Sequence, residues 1–163
     1  MIGRKINILV ILFIVAVIAI PAAFADISNN ASVTTARPVP TPTDTPPFSS
    51  YKGVAIGATL DDARAKLGNP KEKGDGQDSF EFSDHESAQI YYDASKKVTA
   101  IMLTYTGKLD NAPTPKAVFG EDAEVKPDGG IFKMERYPKA GFWISYNKTG
   151  GDDPIVIIAI NKI

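Results

Sequence analysis

His85 is the one histidine in a chain that holds no cysteine, so thiol nucleophiles, histidine-rich metal sites and disulfides are excluded at the outset. The histidine lies in Ser83-Asp84-His85-Glu86-Ser87. An Asp-His-Ser relay there would need Asp84 to orient the imidazole and Ser83 or Ser87 to give it a proton. Neighbours in sequence seldom meet in that geometry, and no nucleophile-elbow pattern is present. The segment reads as a solvated turn between strands, with pH sensing as its one remaining chemistry. Asp75, Asp78, Asp84 and Glu86 carry oxygens of the kind calcium takes, and Asp152-Asp153 follows Gly150-Gly151. Neither group has the D-x-[DN]-x-[DN]-G order with its distal glutamate, and both read as turn residues. Gly129-Gly130 and Gly150-Gly151 lack the strand-turn-helix setting of a phosphate loop, and no carboxylate pair stands out as glycosidase-like. The sequence therefore assigns no catalytic, cofactor-binding or metal-binding residue and predicts no enzyme.

Aromatic side chains are the remaining binding chemistry. Tyr91, Tyr92, Phe142, Trp143 and Tyr146 are the candidate protein-binding residues, with Tyr105 and Tyr137 in similar settings. Strand alternation forbids both members of Tyr91-Tyr92, or of Phe142-Trp143, from facing one core. Exposed tyrosine and tryptophan are favoured interface anchors. The second sheet face is either that interface or is covered by the other repeat or a helix, the more ordinary arrangement of the two.

These residues need elements to position them, and the organising piece is Thr59-Leu60-Asp61-Asp62-Ala63-Arg64-Ala65-Lys66-Leu67-Gly68-Asn69-Pro70. Thr59 caps a helix, Asp62 completes a capping-box-like pair, and both aspartates suit the positive helix end. Leu60, Ala63 and Leu67 form a narrow apolar stripe, Gly68 takes the left-handed position after the helix, and Pro70 stops continuation. A helix this short is marginal alone, so its stripe must dock. Residues 71–78 read as a polar connection. Strands follow at Phe80-Glu81-Phe82, at 88–92 and at 98–105, the last two joined by the turn residues 93–97.

The order then recurs. Thr114-Pro115 caps a second short helix that Gly120 ends, an offset of 120 − 68 = 52 from Gly68. That offset carries Phe80 to Phe132 in a strand at 131–137, and Tyr91 and Tyr92 to Trp143 and Ile144 in a strand at 142–146; a last strand spans 155–160. The predicted fold is α+β: two tandem helix-plus-three-strand repeats, at about 52–107 and 108–163, forming one antiparallel sheet with short helices on one face.

The first part of the 163-residue chain is different in kind. Arg4 and Lys5 precede an apolar run over residues 6–20, and Ala23-Phe24-Ala25 is a small-x-small end. Residues 1–25 read as a signal peptide cleaved after Ala25, or alternatively as an uncleaved anchor of the ~20 residues a span requires. Either predicts an exported, periplasmic or secreted product. Residues 26–50 read as a Pro/Thr-rich linker, with Pro38, Pro40, Pro42, Pro46 and Pro47 favouring extended backbone. Without Arg4 and Lys5, 18 − 2 = 16 basic residues face 19 acidic ones, a net charge near −3. That balance excludes nucleic acid as a partner and leaves the membrane to the N-terminal segment.

The run Ile56-Gly57-Ala58-Thr59-Leu60-Asp61-Asp62-Ala63 to Leu67-Gly68-Asn69-Pro70, followed by Ile90-Tyr91-Tyr92-Asp93 and the strand at 98–103, resembles the bacterial SmpA/OmlA (BamE-like) domain. In its doubled form the chain is similar to the β-lactamase inhibitor protein family. The resemblance implies an exported module that binds another envelope or secreted protein through its sheet face or loops. Two other functions stay open: an inhibitor of a secreted or periplasmic hydrolase, and a small cell-wall ligand-binding domain or enzyme.

Overall fold

The computed structural model describes residues 45–163. The signal or anchor segment expected at 1–25, and residues 26–44 of the expected linker, lie outside the described residues. Packing begins before the start expected near Tyr51, since Pro46 is buried and Phe48 lies against the core. A small hairpin follows, Ser50–Tyr51 (β1) and Val54–Ala55 (β2). Its two-residue loop holds Lys52 at φ 46° and Gly53 at φ 81°, the pair of positive values that matches the strand twist of a tight hairpin.

Helix α1 (Leu60–Leu67) forms as its cap dictates. The Thr59 hydroxyl accepts the Asp62 N–H at 3.0 Å and donates to the Asp62 carboxylate at 2.6 Å. Ala63 and Leu67 are buried and Leu60 packs beside them, so the apolar stripe docks. Gly68 has φ 88° and ψ −160°, outside the left-handed basin expected of it and in a region that is essentially glycine's alone. What holds α1 in place is a strap: Gly57 N–H reaches Val98 O at 2.8 Å, Val98 N–H reaches Ala58 O at 2.9 Å, and Leu60 N–H reaches Lys96 O at 2.9 Å.

Residues 71–78, expected to be a connection, instead supply a short strand and the start of the next. The strands are Glu72–Lys73 (β3), Gln77–Ser83 (β4), Glu86–Tyr92 (β5), Val98–Tyr105 (β6), Ile131–Tyr137 (β7), Phe142–Lys148 (β8) and Val156–Lys162 (β9). They form one antiparallel sheet in the order β3-β4-β5-β6-β9-β8-β7, so β6 and β9 join two meanders at its centre. The 93–97 turn is as expected: the Asp93 carboxylate accepts the N–H groups of Ser95 and Lys97, each at 2.9 Å. Helix α2 (Pro115–Phe119) is capped by Thr114, whose hydroxyl accepts the Ala117 N–H at 3.2 Å, and is closed by Gly120 in the left-handed region.

One core results. Ile90, Ile101, Leu103, Ile144, Ile158 and Ile160 are fully buried on one sheet face, and α1 and α2 add Ala63, Leu67, Val118 and Phe119 to the same cluster. The fold is thus α+β, an antiparallel sheet with two short helices on one side. The 52-residue correspondence keeps Tyr91 with Trp143 and Tyr92 with Ile144 on matching faces, but it fails at Phe80 and Phe132. Phe80 is buried, whereas Phe132 is 58% exposed on the opposite face, because in β7 it is Ile131, Lys133, Glu135 and Tyr137 that point toward the helices.

Candidate functional site

Alternation along β5 and β8 divides the five aromatic candidates between the two faces. Tyr92, Phe142 and Tyr146 point into the core and are 7%, 6% and 3% exposed, which removes them from any contact surface. Phe142 packs on Tyr137 at 5.8 Å between ring centres, and the Tyr92 hydroxyl donates to Asp78. Tyr91 and Trp143 lie half-buried on the other face. The helices, the β1–β2 hairpin and the connecting turns all pack into the first face. Among the described residues the second face is therefore open, and neither a described helix nor the other half of the sheet covers it.

Strand register arranges the open face of β4, β5, β6, β9, β8 and β7 in three rows. The first runs Gln77, Tyr91, Ala100, Asn161, Trp143, Arg136. The second runs Ser79, Gln89, Met102, Ala159, Ser145, Met134. The third runs Glu81, Ser87, Thr104, Ile157, Asn147, Phe132. Of these eighteen positions only Glu81 and Arg136 are charged, and both sit on outer strands. The twelve inner positions mix aromatic, aliphatic, hydroxyl and amide groups. Phe132 and Met134 are 58% and 53% exposed, large apolar side chains opposite Asn147 and Ser145. Beside Tyr91 a trough of about 580 Å³ runs over Ala100, Met102 and Ala159, because two alanines on neighbouring strands leave room there. The Tyr91 hydroxyl donates to Gln89 Oε1 at 2.7 Å, which lays the ring along the strand.

The charged candidates take structural roles. Asp78, considered as a loop carboxylate, is fully buried: Arg64 from α1 grips both its oxygens, at 2.8 and 2.9 Å, and Tyr92 donates at 3.0 Å. Burial alone would raise this carboxyl, but the Arg64 guanidinium, together with the Tyr92 hydroxyl, outweighs it and holds the group below the ordinary aspartate range. Glu86, another suggested calcium ligand, accepts the Tyr51 hydroxyl at 2.6 Å. Burial, and then Glu86, push the Tyr51 and Tyr105 hydroxyls upward, so both remain donors. His85 is exposed in the β4–β5 turn, and it is its backbone N–H, not its ring, that bonds Ser83 Oγ, at 3.2 Å. Gly130 and Gly150 crowd Asp128 in a turn next to β7. Among the described residues no group of three or more acidic or histidine side chains is placed to hold a metal ion. No described helix is long and apolar enough to cross a membrane.

Comparison with protein-family models, curated proteins and solved structures finds no match. The site consequently rests on its own geometry. Its strongest sequence-legible members are Tyr91 and Trp143. Phe132, Met134, Met102 and Ile157 were not singled out by sequence. In β7 the outward side chains are Phe132, Met134 and Arg136 and the inward ones include Lys133 and Glu135, the reverse of the usual hydrophobic-in order. Lys133 is accommodated inside by Glu121, by Glu135 at 3.0 Å and by the Phe119 ring at 5.1 Å.

Proposed function

We propose that the chain is an exported, non-catalytic protein-binding module of the bacterial cell envelope, and that the open sheet face is its binding surface. One observation carries the reading: a face that the described residues leave open and whose inner positions hold no charge, yet which presents Tyr91, Trp143, Met102 and Ile157, with Phe132 and Met134 at its margin. An uncharged face that mixes aromatic and aliphatic side chains with hydroxyl and amide groups has the composition of a protein contact surface, where aromatic residues and adaptable methionines are the usual anchors. Neutral inner positions also mean that a docking partner loses no strongly hydrated charge there. The element order α1-β4-β5-β6 and then α2-β7-β8-β9 supports a tandem-repeat origin, and the resemblance of the Ile56 to Pro70 run to SmpA/OmlA domains supports a protein as the partner. Export rests on the reading of residues 1–25.

The test is affinity capture from envelope and culture fractions of the source cells with the full-length chain. A stoichiometric partner is expected on the wild-type protein. Combining Tyr91→Arg with Trp143→Arg should lower its retention at least about tenfold, since two interface anchors of roughly 1 kcal/mol or more each are lost. Circular dichroism checks that the variant is folded. Equal retention by the folded variant would rule out the open face as the contact surface.

A further inference from the structure

The rows of the open face have a property that individual residues do not show: they are complementary to themselves. We propose that a second copy of this chain covers the open face in an isologous face-to-face dimer. Take a two-fold axis parallel to the strands, midway between β6 and β9. It places β9 over the second copy's β6, β8 over its β5 and β7 over its β4. Rows are preserved by that rotation. Met102 then meets Ala159, Ala100 meets Asn161 and Trp143 meets Tyr91, and each pairing occurs twice.

Large side chains therefore face small ones next to the axis, which is how two stacked sheets interdigitate at roughly 10 Å. The aromatic pair sits one strand further out. No like charges are opposed, because Arg136 falls on Gln77 and Glu81 on Phe132. The perpendicular axis is worse: it sets Met102 on Met102 and Ala159 on Ala159, a collision beside a void. Extension of the sheet through β7 is also disfavoured, since Val125 already bridges Ile131 on that edge and Lys133 and Glu135 point inward. Six strands spaced ~4.8 Å, each seven residues long at ~3.3 Å per residue, give a face of roughly 650 Å² in projection. That approaches the roughly 800 Å² per partner of a standard interface. The inference rests on the open face as a binding surface and adds to it a regulation: an envelope partner must displace the second copy.

Sedimentation of the full-length chain across a dilution series tests this. The wild-type mass is expected to rise to that of two chains with concentration, accompanied by a change in Trp143 emission as Tyr91 of the second copy closes over it. Ala159→Arg, beside the axis, should sediment as a single chain throughout with unchanged circular dichroism. Ala100→Arg, on the neighbouring strand, provides a second variant with the same expected loss. Lys116→Glu, exposed on α2 and away from the open face, should leave the dimer in place. A wild-type chain of single mass at every concentration overturns the proposal, as does a dimer that persists in both arginine variants at the axis. Single-chain mass together with Trp143-dependent capture of an envelope protein would end the dimer and leave the binding-face reading intact. A dimer lost on Ala159→Arg, with capture indifferent to Tyr91→Arg and Trp143→Arg, would do the reverse.

Discussion

Asp78→Ala is expected to lower the unfolding free energy by about 3 kcal/mol, the low end of the cost of stripping one partner from a buried ion pair. Asp78 is fully buried and accepts from Arg64 twice and from Tyr92 once, so its removal leaves a guanidinium and a hydroxyl without their acceptor. The Arg64 side chain is 30% exposed and regains part of its hydration, which keeps the loss from being larger. Urea titration followed by circular dichroism measures it. Replacing all three groups together, as Arg64→Met, Asp78→Leu and Tyr92→Phe, should return stability to within about 1 kcal/mol of wild type, since an apolar replacement of a buried pair is often neutral. The pH dependence has a definite sign. The Asp78 carboxyl is held below its ordinary value of 3.8, so the unfolded chain takes up this proton first. The pair stabilises fully above the ordinary aspartate range, and its contribution disappears as pH falls below 3.8 and through the lower folded value. The stability gap between wild type and Asp78→Ala should therefore close in acid. A loss under about 1 kcal/mol at neutral pH, or a gap independent of pH, would contradict the structural role given to this pair.

Ile160→Ala is expected to cost about 3 to 4 kcal/mol, the range for deleting a buried aliphatic side chain where neighbours cannot collapse into the space. Ile160 on β9 is fully buried, directly opposite Ile101 on β6 and Ile144 on β8, and so lies at the junction of the two meanders. With an m-value of roughly 1.5 kcal/mol/M, the urea midpoint falls by roughly 2 to 2.7 M. The form of the transition matters as much as its position. Because β6 and β9 pair along six residues, Trp143 fluorescence in the second meander and circular dichroism of the whole should unfold together in the variant as in the wild type. Separate transitions, with only the Trp143 signal moved, would mean that the meanders fold independently.

Much of this architecture was legible because local signals and patterning agree. Thr59, Asp62, Leu60, Ala63 and Leu67 specify α1 through cap and stripe, and Thr114-Pro115 and Gly120 specify α2. Alternation and β-branched content located all six long strands. The β1–β2 hairpin was missed because its turn places Lys52, not asparagine or aspartate, at the first left-handed position. Strand β3 was missed because two exposed charged residues, Glu72 and Lys73, carry no hydrophobic period. The candidate site was half legible for a related reason. Alternation guarantees that one of Tyr91 and Tyr92, and one of Phe142 and Trp143, faces outward, but it does not say which. That choice is made by register: Tyr92 is drawn inward by its bond to Asp78, and Phe142 by its contact with Tyr137. Phe132 and Met134 were hidden because β7 turns Lys133 and Glu135 inward, and the ion pairing with Glu121 that permits this for Lys133 joins residues twelve positions apart.

Site-specific photocrosslinking in the source cells distinguishes an open sheet face that contacts another envelope protein from a contact on the helix side. A benzophenone amino acid is placed at Ser145, in the middle row of the open face, or at Lys116, exposed on α2. Irradiation is predicted to give an adduct with a different envelope protein from Ser145 and none from Lys116. An adduct from Lys116 with none from Ser145 would contradict the account and move the binding surface to the helices.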